Sequence, residues 1–173
     1  MKNFCITLFI IAIIVLSAIG LNQSAEPQKE YLRIHIRANS NDLSDQTVKY
    51  QVRNAVVEFL TPKIAQCDTK EKAQTLLTDN LLEIEEIANA VLKENGFNYQ
   101  SKASVKNELF PTRKYDELVL DGGYYDALIL ELGSATGDNW WCVVYPPLCF
   151  TGEGVNYEYK SKIKEIIDKF FNE

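Results

Sequence analysis

Apolar and polar side chains alternate over residues 31–37, where aliphatic residues are interleaved with Arg33, His35 and Arg37. A period of two predicts a half-buried strand with these three basic side chains on the face away from the core. Later segments also have strand character; they lie at about residues 97–106, 118–120, 125–132 and 140–145. The segment 125–132 is apolar at nearly every position, which is typical of a central strand buried on both faces.

Apolar residues at three- and four-residue steps predict three helices. The first follows the N-cap candidate Ser44 and ends near Leu60, because Pro62 disfavours helical continuation. The second starts near Thr69, ends at the Gly96 stop signal and is interrupted near residues 79–80. The third helix is amphipathic and covers about residues 155–171.

The predicted elements follow the order strand, helix, helix, several strands, helix. Helices that precede the strands, rather than alternating with them, indicate an α+β fold. We expect a single domain at residues 31–173. Its antiparallel or mixed sheet is covered by two N-terminal helices and one C-terminal helix.

An uncharged apolar run occupies residues 4–21 and follows Lys2. It is typical of a signal peptide or signal anchor, because Ala18 and Gly20 have the usual cleavage spacing and the run is also long enough to span a bilayer. Residues 22–30 are polar and form a linker. We therefore expect the domain to lie outside the cytoplasm. It would contact a membrane only through residues 4–21, if that segment stays uncleaved.

The charge balance is acidic, with 18 Lys and Arg against 24 Asp and Glu and a formal net charge of −6. Such a domain repels phosphate backbones and anionic lipid head groups, so a nucleic-acid partner is not expected. Hydrophobic residues at 46% and charged residues at 24% indicate a globular chain rather than a disordered one.

The sequence offers no catalytic, cofactor or metal-binding motif. His35 is the single histidine, and no neighbouring nucleophile or carboxylate motif accompanies it. Four roles are open to it: part of a solvated strand face, a member of internal ion pairs, part of a recognition surface, or a catalytic group. The glycine pairs lack the strand–turn–helix context of a phosphate loop, and His, Cys and carboxylate residues are not clustered as metal ligands.

Cys142 and Cys149 flank a Pro-Pro pair that turns the chain back. Outside the cytoplasm they are candidates for a disulfide, and the alternative is a pair of buried thiols. In the chain-entropy model, closing so short a loop contributes about 2.5 kcal/mol.

Seven residues are candidates for contact with a partner protein: His35, Arg37, Asn39, Lys49, Arg53, Trp140 and Trp141. Arginines at the predicted strand–helix corner suit a partner carboxylate, or alternatively make ion pairs within the fold. Trp140 and Trp141 are adjacent on a strand and must face opposite sides. One of them can lie in the core, and the other then needs a cover or a partner.

Three separated motifs resemble those of the stage II sporulation protein R family. They are RIHIRANSN at residues 33–41, FPTRKY at 110–115 and NWWCVVYPPLCF at 139–150. The motifs occur in the family's order, and the resemblance spans about residues 31–150. Asp121 and Tyr145 are small departures, since the family usually has Pro and Phe there.

The resemblance implies a signalling protein of endospore formation that is exported from the forespore into the space between the two membranes. There it would activate a membrane-embedded aspartic protease, stage II sporulation protein GA, which cleaves the precursor of sigma factor E. Such a protein is not an enzyme. Two alternatives remain, a secreted hydrolase that uses His35 with Asp45 or another carboxylate, and an envelope structural protein tethered by residues 4–21.

Overall fold

The computed structural model describes residues 30–115, 118–150 and 157–172, with side chains in the last segment from residue 161. The predicted signal segment, and the linker up to residue 29, lie outside the described residues. The elements in chain order are β1 (Leu32–Arg37), α1 (Leu43–Ile64), α2 (Lys70–Asp79), α3 (Leu81–Glu94), β2 (Ser101–Phe110), β3 (Arg113–Tyr115), β4 (Leu118–Leu120), β5 (Gly123–Leu132), β6 (Asn139–Tyr145) and α4 (Tyr157–Asn172). A short 3₁₀ turn, Leu148–Phe150, follows β6.

Four strands form a mixed sheet in the order β2-β5-β1-β6. The first strand lies inside it, parallel to β5 and antiparallel to β6, while β2 closes the other side antiparallel to β5. β3 and β4 pair as a separate two-stranded hairpin. The predicted α+β class with a mixed sheet is therefore confirmed.

The helices cover one face of this sheet. Leu32, Ile34 and Ile36 of β1 point into that side together with the leucines of β5, and all are fully buried against helical residues such as Val52 and Ile84. Burying an aliphatic side chain of this size stabilises the fold by about 1.5–3 kcal/mol. The alternation at residues 31–37 thus fixes which side of β1 faces the helices.

The other face of the sheet is also covered, so the expectation that it is solvated is wrong. Arg33 and His35 are fully buried there, in a second core with Phe110, Tyr125 and Ile129. The β3–β4 hairpin contributes Leu120 to this core, and Tyr115 and Leu118 pack against it. A hairpin folded over the sheet therefore removes from water side chains that alternation alone places on an outer face.

One helix boundary differs from the prediction and another is confirmed. α1 continues through Pro62 to Ile64, because Leu60, Thr61 and Ile64 are buried and tertiary packing outweighs one lost backbone hydrogen bond. The interruption predicted near residues 79–80 is confirmed, since Asn80 separates α2 from α3.

The start of β2 also differs from the prediction. Gly96 ends α3 with a positive φ of 81°, and the N–H of Phe97 donates to the carbonyl of Leu92 at 3.0 Å. Phe97 and Tyr99 pack on the helix-covered core with their rings 5.2 Å apart. β2 therefore begins at Ser101 rather than near residue 97.

Among the described residues, every helix is too short or too polar to cross a bilayer.

Candidate functional site

Strand β6 forms one edge of the four-stranded sheet and carries two adjacent tryptophans. It pairs with β1 and has no strand on its other side in the described sheet. Trp140 packs against the helix-covered core and Trp141 against the second core, as strand geometry predicts. Both indole rings are half-buried, so each leaves part of its surface at this edge.

An arginine lies over each of the two indole rings. The guanidinium carbon of Arg53 is 5.5 Å from the centroid of Trp140, and that of Arg113 is 5.4 Å from Trp141. Both distances lie within the roughly 6 Å over which a ring attracts a cation. Arg53 donates to the Oδ1 atom of Asn54 at 3.0 and 2.7 Å. No salt bridge within the described parts of the chain pairs either arginine with a carboxylate.

Tyr50 extends the same surface along α1. This residue is 44% exposed, and the centroid of its ring lies 5.0 Å from the guanidinium carbon of Arg53. We call this set of five residues the tryptophan edge: Tyr50, Arg53, Arg113, Trp140 and Trp141. It combines amphipathic aromatic rings with guanidinium groups, the side chains that most often dominate protein interfaces.

Lys49 precedes Tyr50 of the tryptophan edge in α1 and is buried. It is only 1% exposed, and its Nζ atom donates to Gln46 Oε1 at 2.6 Å and to the carbonyl of Asp138 at 2.9 Å. Burial lowers the pKa of its ammonium group. The expectation that Lys49 lies on an accessible surface is therefore wrong, because its ammonium group ties α1 to the residue before β6.

His35 is enclosed between rings and is neutral. Its imidazole lies 4.7 Å from the ring of Trp141 and 5.2 Å from that of Phe110. Burial, reinforced by the positive charges of Arg37, Lys106 and Arg33, lowers the pKa of His35 to about 3. Neither ring nitrogen makes a hydrogen bond.

One carboxylate approaches His35 without changing this state. Glu108 Oε1 is 3.6 Å from His35 Nε2, which is too long for a hydrogen bond. Its charge is already balanced by Arg37 and Lys106. Burial and the surrounding cations therefore outweigh this carboxylate, and the imidazole stays neutral. A recognition role predicts that His35 is exposed to solvent, but the rings of Phe110 and Trp141 cover it and it is fully buried.

Asp45, the carboxylate proposed as a partner of His35, is used elsewhere. It is 4% exposed and accepts hydrogen bonds from Ser40 Oγ at 2.6 Å, Asn39 Nδ2 at 2.8 Å and Tyr99 Oη at 2.6 Å. Burial acts to raise its pKa, but these hydrogen bonds together lower it. The Asp45 side chain therefore organises the strand–helix corner rather than a catalytic pair.

Asn39 joins that corner to the loop before β6. Its backbone carbonyl accepts from Ser134 Oγ at 2.7 Å and Thr136 Oγ1 at 2.8 Å, and its Oδ1 atom accepts from the N–H of Ser134 at 2.9 Å. The N–H of Gly137 donates to the Ala38 carbonyl at 2.9 Å. Asn39 is thus a structural link, half-buried and occupied within the fold.

Arg37 makes ion pairs inside the sheet. Its guanidinium donates to Glu131 Oε1 at 2.9 Å and also to Glu108. Of the two alternatives for Arg37, a partner carboxylate or ion pairs within the fold, the described structure therefore has the ion pairs. The two carboxylates come from β5 and β2, so Arg37 links three strands of the second face.

Arg33 is the most unusual buried group. Its guanidinium carbon lies 4.3 Å from the ring centroid of Phe110 and 4.7 Å from that of Tyr125. It donates one hydrogen bond, from Nη2 to Tyr115 Oη at 2.7 Å, while Nε and Nη1 have no partner. No described carboxylate pairs with Arg33, and aromatic faces hold its guanidinium, since they attract a cation most strongly when water is excluded.

Cys142 and Cys149 form a disulfide with their Cα atoms 6.1 Å apart. The N–H of Val143 donates to Cys149 Sγ at 3.1 Å, so the 3₁₀ turn folds against the outer side of β6. Cys67 is a free thiol, and burial raises its pKa. The described cysteines thus comprise one bonded pair and one buried, protonated thiol.

The seven predicted residues fall into three places. Arg53 and Trp140 meet on the helix side of β6, where Lys49 is buried in the same helix as Arg53. His35, Arg37 and Trp141 lie on the second face, and Asn39 lies at the corner. Among the described residues, no group of three or more His, Cys, Asp or Glu side chains is arranged to hold a metal ion.

Comparison with known proteins decides the family. The family model described as Stage II sporulation protein R matches residues 28–154. The chain belongs to this family. It is 30% identical over 178 aligned positions to a Bacillus subtilis (strain 168) protein named "Stage II sporulation protein R", which covers 97% of this chain and 78% of that relative. No solved structure matches.

Sequence reasoning missed Tyr50 and Arg113 as parts of the tryptophan edge. Arg113 stands within a motif that carries the family resemblance, but its contact with Trp141 depends on the β3–β4 hairpin folding over the sheet. Tyr50 lies between the predicted core positions Val48 and Val52 of α1, two residues from each, and has no periodic signal of its own. Only the tertiary fold brings these two side chains to β6.

Proposed function

We propose that this protein is an exported sporulation signalling protein that activates stage II sporulation protein GA, a membrane-embedded aspartic protease. The activated protease then cleaves the precursor of sigma factor E. Membership of the stage II sporulation protein R family supports the sporulation role. The protease partner is what the resemblance of the three motifs implies.

The observation that carries an activating role is the tryptophan edge. An activator without chemistry of its own must present a surface that another protein recognises. Two guanidinium groups stacked on half-buried indoles form such a surface, since tryptophan and arginine are enriched among residues that dominate binding energy. Among the described residues neither guanidinium forms a salt bridge with a carboxylate, and a carboxylate of a partner protein can supply that charge across an interface.

A hydrolase centred on His35 has less support. A general base must lie within hydrogen-bond reach of the proton that it removes. His35 is fully buried, makes no hydrogen bond and keeps a pKa of about 3. Its proposed partner Asp45 is engaged with Ser40, Asn39 and Tyr99.

We place the protein in the space between the forespore and mother-cell membranes, with residues 4–21 as the export signal. The disulfide between Cys142 and Cys149 is consistent with an oxidising compartment outside the cytoplasm. The tethered-envelope alternative differs only in whether residues 4–21 are removed, and the N-terminal sequence of the mature protein distinguishes the two.

Co-expression of the full chain with the protease and the sigma precursor, in a host without sporulation genes, tests this proposal. We expect precursor cleavage only when all three proteins are present. Equal cleavage without this chain, or none with it, would contradict the proposal. In the same assay His35→Phe should retain cleavage, because the proposal assigns the imidazole no chemistry.

A second control tests export. Ile13→Arg places a charge at the centre of the apolar segment, which costs about 2.5–3.5 kcal/mol for membrane insertion. We expect this variant to stay in the cytoplasm and to lose activation. Activation by a non-exported variant would contradict the proposed compartment.

A further inference from the structure

We propose that β6 accepts an extended segment of a partner protein as an additional strand, and that this segment carries two adjacent carboxylate residues. One carboxylate pairs with Arg53 on the helix side and the next pairs with Arg113 on the second face. The inference rests on the proposed function only for the partner's identity, since the edge itself is a property of this fold.

The first support is the hydrogen-bonding direction along β6. The N–H of Val143 points away from β1, because it donates to Cys149 Sγ at 3.1 Å. Backbone groups of an antiparallel strand point to its two sides alternately, and the pairing of β6 with β1 is regular from Cys142 to Asn139. The N–H and C=O groups of Trp141 and Asn139 therefore point outward as well.

The free part of the edge is short and has two defined ends. At one end the disulfide and the 3₁₀ turn cover Val143. At the other end the N–H of Asp138 already donates to Asn41 Oδ1 at 2.6 Å. Between them, residues 139–141 form a strand edge about 7 Å long, at 3.3 Å per residue, with which no strand of the described residues pairs. Such an edge is the template that strand addition uses.

The second support is the placement of the two arginines. Trp140 and Trp141 are consecutive, so their arginines lie on opposite faces of the edge. Consecutive side chains of an added strand also point to opposite faces. Two adjacent Asp or Glu residues in that strand therefore place one carboxylate beside each guanidinium, whereas two carboxylates separated by one residue reach only one face.

Charge makes this edge selective. The protein as a whole is acidic, with a formal net charge of −6, and repels an acidic peptide at long range. Binding thus requires the local guanidinium pair, where hydrogen bonds to charged groups are strong and geometrically specific. A basic or neutral segment would supply neither arginine with a carboxylate.

Two capped peptides of equal composition test the inference against the full chain in mild detergent. One is Thr-Val-Glu-Glu-Val-Thr, with adjacent carboxylates. The other is Thr-Glu-Val-Glu-Val-Thr, with both carboxylates on one face. We expect the first to bind about tenfold more tightly, because it adds one charge-assisted hydrogen-bonded contact. Arg53→Ala or Arg113→Ala should remove this difference.

Amide hydrogen exchange of the ¹⁵N-labelled chain identifies the binding mode. Strand addition should slow exchange at Asn139 and Trp141 and leave Trp140, whose amide faces β1, unchanged. Three results would overturn the inference: no binding of either peptide, equal affinities for the two, or binding without protection at residues 139 and 141.

The cleavage assay separates this inference from the proposed function. Cleavage that depends on this chain but survives loss of both arginines would reject the docking mode and keep the function. Peptide binding with the predicted preference, in a chain that never activates the protease, would reject the function and keep the docking mode.

Discussion

At the scale of single residues, Arg33 on the second face shows how aromatic rings accommodate a buried charge that no described carboxylate neutralises. Arg33 is fully buried between Phe110 and Tyr125 and donates one hydrogen bond, to Tyr115. Two opposing contributions act on it. Removing a guanidinium from water costs free energy, and desolvated cation–π contacts return about 2 kcal/mol or more.

Arg33→Met should therefore keep the free energy of unfolding within about 1 kcal/mol of the wild-type value. Methionine retains most of the side-chain volume against the rings and removes the desolvation cost together with the cation–π attraction. Arg33→Ala should lose about 3 kcal/mol, because it leaves a cavity among the aromatic rings. Urea denaturation of both variants measures this, and a methionine variant as unstable as the alanine variant would show that the charge itself is required.

The neutral state of His35 predicts a pH dependence of stability. Its pKa is about 3 in the folded protein against an ordinary value of 6.5, so between these pH values the unfolded chain binds a proton that the folded chain does not. The stabilisation is complete above pH 6.5 and decreases as the pH falls. We expect a loss of about 2 kcal/mol between pH 7 and pH 5.

The control for this prediction is His35→Phe, which should flatten the dependence in that window. The pKa values of Asp45, Asp68 and Asp126 are lowered by their hydrogen bonds, so these carboxyl groups stay ionised throughout that window and contribute no slope to it. An unchanged slope in the phenylalanine variant would mean that a group other than His35 binds the proton.

At the scale of elements, the loop between β5 and β6 is fitted closely to the strand–helix corner. A Cβ atom at Gly137 would collide with the carbonyl of Ser40, beside the hydrogen bonds that hold Asn39 and Asp45. Gly137→Ala should therefore destabilise the protein by about 1–3 kcal/mol through overpacking. Gly122→Ala is the matched control, since its Cβ would lie 3.4 Å from the nearest atom, an ordinary contact. Equal melting temperatures for the two variants would contradict this account of the corner.

The disulfide joins β6 to the 3₁₀ turn that follows it. Cys142→Ala with Cys149→Ala should lower the free energy of unfolding by about 2.5 kcal/mol, because the unfolded chain regains the freedom of the closed loop. A reducing agent should have the same effect on the wild-type protein and none on the double variant. Destabilisation of the double variant by reductant would contradict this, since Cys67 is free in either case.

The elements also show where sequence patterns suffice. Alternation over residues 31–37 predicts the direction of each β1 side chain, and strand geometry predicts the opposed tryptophans. Burial of Arg33 could not be predicted, because Tyr115, which covers part of it, belongs to the β3–β4 hairpin, whose three-residue strands lie about 80 residues further along the chain. A strand that short has no measurable period. Continuation of α1 past Pro62 likewise follows from packing rather than local propensity.

At the scale of the whole molecule, the two faces of the sheet have different roles. The helix-covered face supplies most of the aliphatic core, and the second face encloses charged and aromatic groups that sequence reasoning places at a surface. β6 is an edge strand with one tryptophan packed on each face, so both cores extend to this edge of the sheet. The central claim is that this edge acts by recognition, with no chemistry of its own.

The most direct test measures melting and precursor cleavage on the same variants. The double variant Arg53→Ala with Arg113→Ala should keep a free energy of unfolding within about 1 kcal/mol of the wild-type value. Cation–π contacts near the surface contribute about 0.5–1 kcal/mol each, and regained side-chain entropy partly offsets their loss. Cleavage of the sigma precursor should be lost. Lys102→Ala, an exposed lysine of β2 at the opposite edge of the sheet, should leave both measurements unchanged. Full cleavage by the double arginine variant, or a loss of cleavage matched by a large fall in melting temperature, would contradict recognition at the tryptophan edge.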